Sequence, residues 1–389
     1  MSKVKLGDIV CRIKDSVDKD NTDLIYYIGG EHFDNRSLTV TRKGIIKGST
    51  IGPAFSTKFK AGDVLLMSRN PHLRKAGIVN FDGICSDVSY IIRTRDENVI
   101  MQKFIPILFQ SDMFWEFAEK NKKGSTNFFL NWRDFERFEF DLPDIETQQK
   151  LCDELWAIND TIDSYKEMIK QSDELIKAKF IEMFGDPLDN SMNWKIQPLK
   201  NIVSNDCSLS YGIVQTGNED INGVPVFRPV DIVNHSPKIE ELKKTSKIIS
   251  DKYKRTILKG RELLITVRAN IADTCIVGED FKGCNVGRGI VPIRTKEDII
   301  ILEFLKYQLD NKRFNDHIKR LAKGITLIQL NMEDLREIKI ILPPLLLQKQ
   351  FVIFAKNNNL SIENIGKAET GLKLLYDSIV NAHLIKEEE

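Results

Sequence analysis

The chain has 389 residues, 42% hydrophobic and 29% charged, with 57 Lys plus Arg against 56 Asp plus Glu. That length fits two or more domains, that composition argues against wholesale disorder, and the near-zero net charge speaks against nonspecific coating of nucleic acid while still allowing a local basic cleft. With no run of eighteen apolar residues, no secretory pattern in MSKVKLGDIVCRIKD and six scattered cysteines (Cys11, Cys85, Cys152, Cys207, Cys275, Cys284), the expectation is a cytoplasmic protein with free thiols and no membrane partner.

Taken in chain order, 63–67, 78–79 and 88–93 are β-branched runs between turns and predict strands. Two polar clusters sit in the neighbouring loops: Arg42, Lys43, Lys47, Ser49 and Thr50, then Arg69, Asn70, His72, Arg74 and Lys75. Residues 104–120 carry Ile105, Leu108, Phe109, Met113 and Phe117 at helical spacing, which predicts one helix. Pro143-Asp144 then reads as the stop before a longer helix. Its stripe, Leu151, Leu155, Ile158, Ile162, Tyr165, Ile169, Ser172 and Ile176, steps by four and three, the spacing of knobs-into-holes packing. Residues 146–182 hold nine acidic and five basic side chains, a net −4, so this helix suits a protein partner better than DNA.

The series then starts again. Strands are expected at 263–267 and 289–294, with Arg268 and Asn270 in the following loop, and a helix at 302–320. A second stripe follows Pro343: Phe351, Ala355, Asn358, Ile362, Ile365, Glu369, Leu372, Tyr376 and Ile379.

This is a duplication. Lys123-Gly124-Ser125-Thr126 and Leu130 match Lys323-Gly324-Ile325-Thr326 and Leu330 at an offset of 200. Asp134, Leu142-Pro143 and Gln148 match Asp334, Leu342-Pro343 and Gln348 at the same offset, and the two stripes keep it from Phe351 to Tyr376. Upstream the offset drifts from 198 to 201: Gly62–Ser68 parallels 260–266, and Ile92-Arg93-Thr94 parallels Ile293-Arg294-Thr295. The expected fold is α+β: two tandem domains, each followed by a long helix, with the two helices paired antiparallel as a spacer. An antiparallel pair puts each domain at the start of its own helix and needs no chain return along the rod.

Catalytic signatures are missing. Gly44-Ile45-Ile46-Lys47-Gly48-Ser49-Thr50 lacks phosphate-loop spacing, and the five histidines (His32, His72, His235, His317, His383) form no zinc pattern. Asp280-Phe281-Lys282 and Glu337-Ile338-Lys339 lack the acidic partner a magnesium nuclease needs, and Leu342-Pro343-Pro344-Leu345 lacks the flanks of an aminomethyltransferase motif. Binding remains. Arg can pair with guanine and Asn with adenine, while lysines and glycine-loop amides hold phosphates. Any one of the loop residues reads as a solvated side chain; the constellation is what points to DNA.

GDVLLMSR with GRELLITVR, KGST before LPDIETQQK, KGIT before LPPLLLQKQ, and FIEMFGDP closing the first helix resemble the specificity subunits of type I restriction–modification enzymes over essentially the whole chain. The resemblance implies target recognition domains at 1–145 and, with a linker, 185–345, separated by conserved helices at 146–184 and 346–384. Each domain would read half of a bipartite, asymmetric DNA target, and the helices would fix the gap. It further implies a non-catalytic chain that binds double-stranded DNA, two adenine methyltransferase subunits and motor–nuclease subunits. The chain itself would hold no cofactor or metal; AdoMet, ATP and Mg2+ would serve the partners. Two rivals are the recognition subunit of a type IIB-like system and a coiled-coil protein scaffold.

Overall fold

The chain divides into two compact units, Met1–Met168 with Asn364–Glu389, and Ile169–Glu363. The computed structural model describes residues 2–232, 238–324 and 328–384. Ile325, Thr326 and Leu327 of the second repeat motif, and His235, lie outside them.

In the first unit a four-stranded antiparallel sheet runs in the order Val10–Ile13, Ser89–Thr94, Val64–Met67, Ala76–Ile78. A second sheet orders Gly44–Ile45, Tyr26–Ile28, Gly83–Ser86 and Phe55–Phe59, and its middle pair is parallel. A ribbon of Ser2–Lys5 with Glu139–Leu142 closes the domain beside the long helix. The second unit repeats this plan with shorter sheets: Thr274–Val277, Glu262–Thr266 and Ile290–Ile293; Lys243–Thr245, Val224–Phe227 and Asn285–Val286; and the ribbon Lys195–Pro198 with Lys339–Leu342.

Strand register corrects the repeat by one residue. Val64 pairs with Ile92 and Leu65 with Ile91, while Leu263 pairs with Ile293 and Leu264 with Pro292. Val64 therefore corresponds to Leu263, an offset of 199 where the sequence alignment of Gly62–Ser68 used 198. The difference matters because one residue turns every side chain to the other face. Val64 and Leu66 join the core under the helices and Leu65 and Met67 the core between the sheets; Leu263 and Ile265 divide from Leu264 in the same way. With strand positions buried on both faces, alternation vanishes and the run reads as continuously apolar.

The corrected register aligns two buried acids. Asp63 is 2% exposed and accepts from Arg93 Nη2 at 2.9 Å and from the Lys60 amide at 2.7 Å. Glu262, 0% exposed, accepts from Arg294 Nη1 at 2.9 Å and from the Lys259 amide at 2.6 Å. Each pair joins the central strand to its neighbour.

The helices expected at 104–120 and 302–320 are each broken in two: Ile105–Leu108 with Asp112–Asn121, and Leu302–Asp310 with Lys312–Leu321. The breaks fall at residues whose side chains cap the second piece. Ser111 Oγ accepts from the Phe114 amide at 3.3 Å, and Asn311 Oδ1 from the Phe314 amide at 3.2 Å. Such capping competes with a continuous helix.

The long helices are Ile145–Phe184 and Leu345–Leu384. Asp144 starts the first: Oδ1 accepts from the Thr147 amide at 2.8 Å, and that bond holds its carboxyl below the usual range. Gln148 and Gln348, both fully buried, explain one identity in the repeat. Gln148 takes the Met101 amide at 3.0 Å and donates to the Val99 and Pro143 carbonyls; Gln348 takes the Ile301 amide at 3.0 Å and donates to the Ile299 and Pro343 carbonyls. Each clamps a helix start to its domain.

In the first unit, Leu151, Cys152 and Leu155 share a core with Tyr376, Val380 and Leu384, and Ile162 lies beside Lys373 and Tyr376. In the second, Ile176, Phe180 and Phe184 share one with Phe351 and Ala355, and Phe180 stacks on Phe304 at 5.5 Å. Low numbers on one helix meet high numbers on the other, so the helices run antiparallel. Of the stripe, Leu151, Leu155, Ile162, Ile176, Phe351 and Tyr376 are buried, and Ile158, Tyr165, Ile169, Ile362, Ile365, Leu372 and Ile379 half-buried. Burying one such apolar side chain contributes about 1.5–3 kcal/mol. The FIEMFGDP segment ends the first helix at Gly185, whose φ of 72° needs glycine and whose amide caps the Ile181 carbonyl at 2.8 Å.

Candidate nucleic-acid interface

Both central strands end by turning an arginine outward. Val64–Met67 and Ser68 are buried and Arg69 is exposed; Glu262–Thr266 and Val267 are buried and Arg268 is half-buried. The following residue takes a left-handed backbone in each copy, Asn70 with φ 52° and Ala269 with φ 58°. Asn tolerates that conformation, whereas Ala is strained in it, the kind of local cost that clusters at functional sites. Arg74 (φ 50°) and Ala272 (φ 66°) bend the two loops again.

A second loop closes on each arginine. The Lys123 and Phe129 amides exchange bonds of 2.8 and 3.0 Å with each other's carbonyls, Arg69 bridges to Phe129, and the Leu130 amide donates to Ser68 O at 2.9 Å. In the second copy Lys323 and Gln329 exchange bonds of 2.9 and 3.0 Å, Arg268 bridges to Gln329, and the Leu330 amide donates to Val267 O at 2.9 Å. Gly124 (φ 96°) makes the tight turn, and a Cβ there would come within 2.5 Å of the Asn127 carbonyl oxygen. Sequence reading used KGST as a mark of the repeat and of the family resemblance, and did not place it at the site. The recurrence of that motif at the spacing of the arginine strands was the signal that could have placed this loop, with exposed Phe129 and Ile328, at the site.

The other candidates divide by what they already bind. Arg69, Asn70 and Lys75 line one cleft of about 370 Å³ with Gly29, Gly30 and Met67; Lys75 Nζ donates to the Gly30 carbonyl at 2.6 Å. Lys47 and Ser49 line a separate cleft of about 530 Å³ with Lys19, Thr22 and Ile45. Ser49 Oγ donates to the Ile46 carbonyl at 2.7 Å, and exposed Thr50 adjoins it. Arg42 pairs with Asp34 at 2.7 Å and donates to Phe33 O, and the Lys43 ammonium sits 3.9 Å from the Tyr26 ring centre. Arg74 pairs with Asp112, which also holds Arg36 at 3.1 Å. Arg268 donates to Gln329 Oε1, and the Asn270 carbonyl accepts from Thr266 Oγ1 while its side chain is exposed. Among the described residues the side chains of Arg69, Asn70, His72, Lys47, Thr50 and Asn270 make no hydrogen bond or ion pair. A free guanidinium and amide at a loop edge are the groups that can read a base edge. Among the described residues no group of three or more His, Cys, Asp or Glu is placed to hold a metal ion, and no helix is long and apolar enough to cross a membrane.

Residues 194–369, the second copy with most of its helix, match the family described as Type I restriction modification DNA specificity domain, and the first copy repeats that fold. That match covers under half of the chain and makes the second copy similar to a type I specificity domain. Among curated relatives of this family, the Type I restriction enzyme EcoBI specificity subunit of Escherichia coli is 24% identical over 234 residues, 54% of this chain and 49% of that protein. The match thus spans about half of that relative. Two solved structures share the specificity-subunit fold. One, the S subunit of a type I restriction–modification system from M. genitalium, is 11% identical with a TM-score of 0.58 over 99% of this chain and 96% of that one. The other, from work on complex assembly and conformational transition of the type I R-M system, is 19% identical with a TM-score of 0.55 over 98% of this chain and 96% of that one.

Proposed function

We propose that this chain is the non-catalytic, sequence-reading subunit of a restriction–modification complex, binding a bipartite, asymmetric duplex target and bringing partner adenine methyltransferase and ATP-dependent motor–nuclease subunits to it. Residues 1–145 and 185–345 are the reading domains, and 146–184 with 346–384 the spacer that sets the gap. AdoMet, ATP and Mg2+ belong to the partners. One observation carries the reading: Arg69 and Arg268 stand at the same structural position, closed by the same bridged loop, yet among different neighbours. Two equivalent readers with unlike surroundings suit two unlike half-sites, and joining them in one chain raises affinity through effective concentration.

The test is a binding scan over every position of the target with R69A and R268A in the assembled complex. Loss of a base contact costs roughly 1–3 kcal/mol and relaxes choice at one position, in a different half-site for each variant. Uniform weakening with a shallower salt dependence assigns the arginines to phosphates. No effect of either removes both from the site, and turnover of DNA by the pure chain with AdoMet, ATP and Mg2+ overturns the non-catalytic role.

A further inference from the structure

The strand beside each reading arginine opens from a turn that sequence reading did not nominate. The Ser68 amide donates to the Val88 carbonyl at 3.0 Å, and the Val267 amide to the Gly289 carbonyl at 2.8 Å. One residue outward from each bond stand Arg69 and Asp87 in the first copy, and Arg268 and Arg288 in the second. Strand pairing makes Asp87 and Arg288 equivalent, because Leu66 pairs with Tyr90 where Ile265 pairs with Val291. A Cβ on Gly289 would stand 3.4 Å from Arg268 Cβ, so the turn and the arginine lie side by side.

Asp87 and Arg288 are exposed, and among the described residues neither side chain makes a hydrogen bond or ion pair. Their turns are nevertheless held. The Asp87 amide donates to the Ala54 carbonyl at 2.9 Å, and the Gly287 amide to the Phe227 carbonyl at 2.8 Å. Asp87 also lines the cleft of about 370 Å³ that holds Arg69, yet the two opposite charges are not paired. A free charged group on a fixed turn loses little freedom when it binds.

The charge at this position is inverted between the copies. A carboxylate repels phosphate and only accepts hydrogen bonds, so on a duplex it suits the exocyclic amine of a base, cytosine N4 above all. An arginine at the same place suits the acceptors of guanine.

We infer that Asp87 and Arg288 are further specificity-determining residues: Asp87 accepts from a cytosine amine in the first half-site, and Arg288 donates to a guanine in the second. The inference rests on the proposed function in turning the arginine clefts toward DNA. It adds that each domain reads with a second side chain, and that the sign of its charge separates the two half-sites.

The test is a full-site binding scan of the assembled complex, its target first read by methylation-aware sequencing of the host. D87A should lower discrimination roughly 5- to 150-fold at one C·G position of the first half-site. Affinity for unrelated DNA should stay level or rise, since a negative charge is removed. D87N should move the preference at that position toward A·T, because Asn suits adenine. Replacing the read cytosine by 2-pyrimidinone, which lacks the amine, should weaken the wild type to a similar degree and D87A no further. R288A should relax one G·C position of the second half-site. Thermal unfolding should not change, since both side chains are exposed. Unaltered base preference in D87A, an A·T pair at the relaxed position, or additive losses from D87A and the pyrimidinone overturn the assignment of Asp87. Unaltered preference in R288A, or uniform weakening with a shallower salt dependence, overturns that of Arg288. If R69A and R268A relax their positions while D87A and R288A relax none, this inference falls and the proposed function stands; if none of the four does, both fall.

Discussion

Removing Arg294 separates a buried ion pair from its surface imitations. Glu262 is fully buried, and without Arg294 its carboxylate keeps only the Lys259 and Gly260 amides as donors. Stripping one partner from a buried pair costs about 3–5 kcal/mol, because the charge left behind is still desolvated. Arg93 holds Asp63 in the equivalent position of the first copy, but its side chain is 34% exposed against 12% for Arg294. Water reaches the Arg93 site more readily and repays part of the loss, so R93A should cost less, about 2 kcal/mol. The two units need not melt together, so the assay is denaturant-dependent hydrogen exchange resolved by segment, with Glu262–Thr266 and Val64–Met67 as reporters. R294A should lower protection of the first strand, R93A of the second by a smaller amount, and the apolar replacement E262M/R294M should recover most of the loss. DNA binding should weaken at the half-site read by the second domain, because Arg268 is carried on the end of the loosened strand. A loss below about 1 kcal/mol for R294A, or a larger one for R93A, refutes the reasoning.

Aspartate at Ile162, which is 7% exposed, buries a charge in the helix pair at a cost of several kcal/mol, and I362D, half-buried, costs less. Small-angle scattering should report an expanded particle for I162D, and an unchanged one would mean that the stripe is misassigned. Burial pushes the Cys85 and Cys152 thiols up to about 12 and Cys284 to about 11, and Cys11 alone of the six cysteines is not fully buried. A thiol reagent at about pH 8 should therefore label one cysteine quickly and the rest only on unfolding; several fast thiols would contradict the packing. Asp206 is held well below the usual carboxylate range, first by the Lys259 ammonium and then by Ser204. A depressed folded pKa contributes stability above the unfolded value, near pH 4, that is lost as pH falls. Since Asp206 is half-exposed, D206N should cost under about 1 kcal/mol at pH 7, with the gap to wild type closing in acid. A gap that widens in acid would reverse the sign of this argument.

The long helices were legible because their stripes keep one period from Leu151 to Ile176 and from Phe351 to Ile379, and keep the same offset in both copies from Phe351 to Tyr376. Other features were hidden for physical reasons. Val64–Met67 is buried on both faces, so its sequence has no alternation to fix the register, and GDVLL could be laid on GRELL one residue out. The breaks at Ser111 and Asn311 depend on a capping side chain that a period count passes over. Short strands such as Tyr26–Ile28 and Asn285–Val286 are held by parallel pairing with distant strands, which leaves little local pattern. At the interface, sequence could nominate Arg42, Lys43, Arg74 and Lys75, but only the fold shows that Asp34, the Tyr26 ring, Asp112 and the Gly30 carbonyl already engage them.

The duplication then sorts the residues in a way a single domain could not. Positions alike in both copies hold the frame: Gln148 and Gln348 clamp the helix starts, Gly124 and Gly324 turn the closing loops, and Asp63 and Glu262 tie the central strands. Among the positions that differ, Asn70 against Ala269 and Phe129 against Gln329 stand in the loops around the two arginines, and Glu146 against Leu346 on the outer face of the long helices. Ala269 weighs most. Alanine keeps the strained left-handed turn that Asn70 adopts easily, so the backbone path at the arginine has been retained while the side chain beside it changed. Retaining a strained path costs stability and returns none to the fold, which is the expected mark of a loop whose position serves binding.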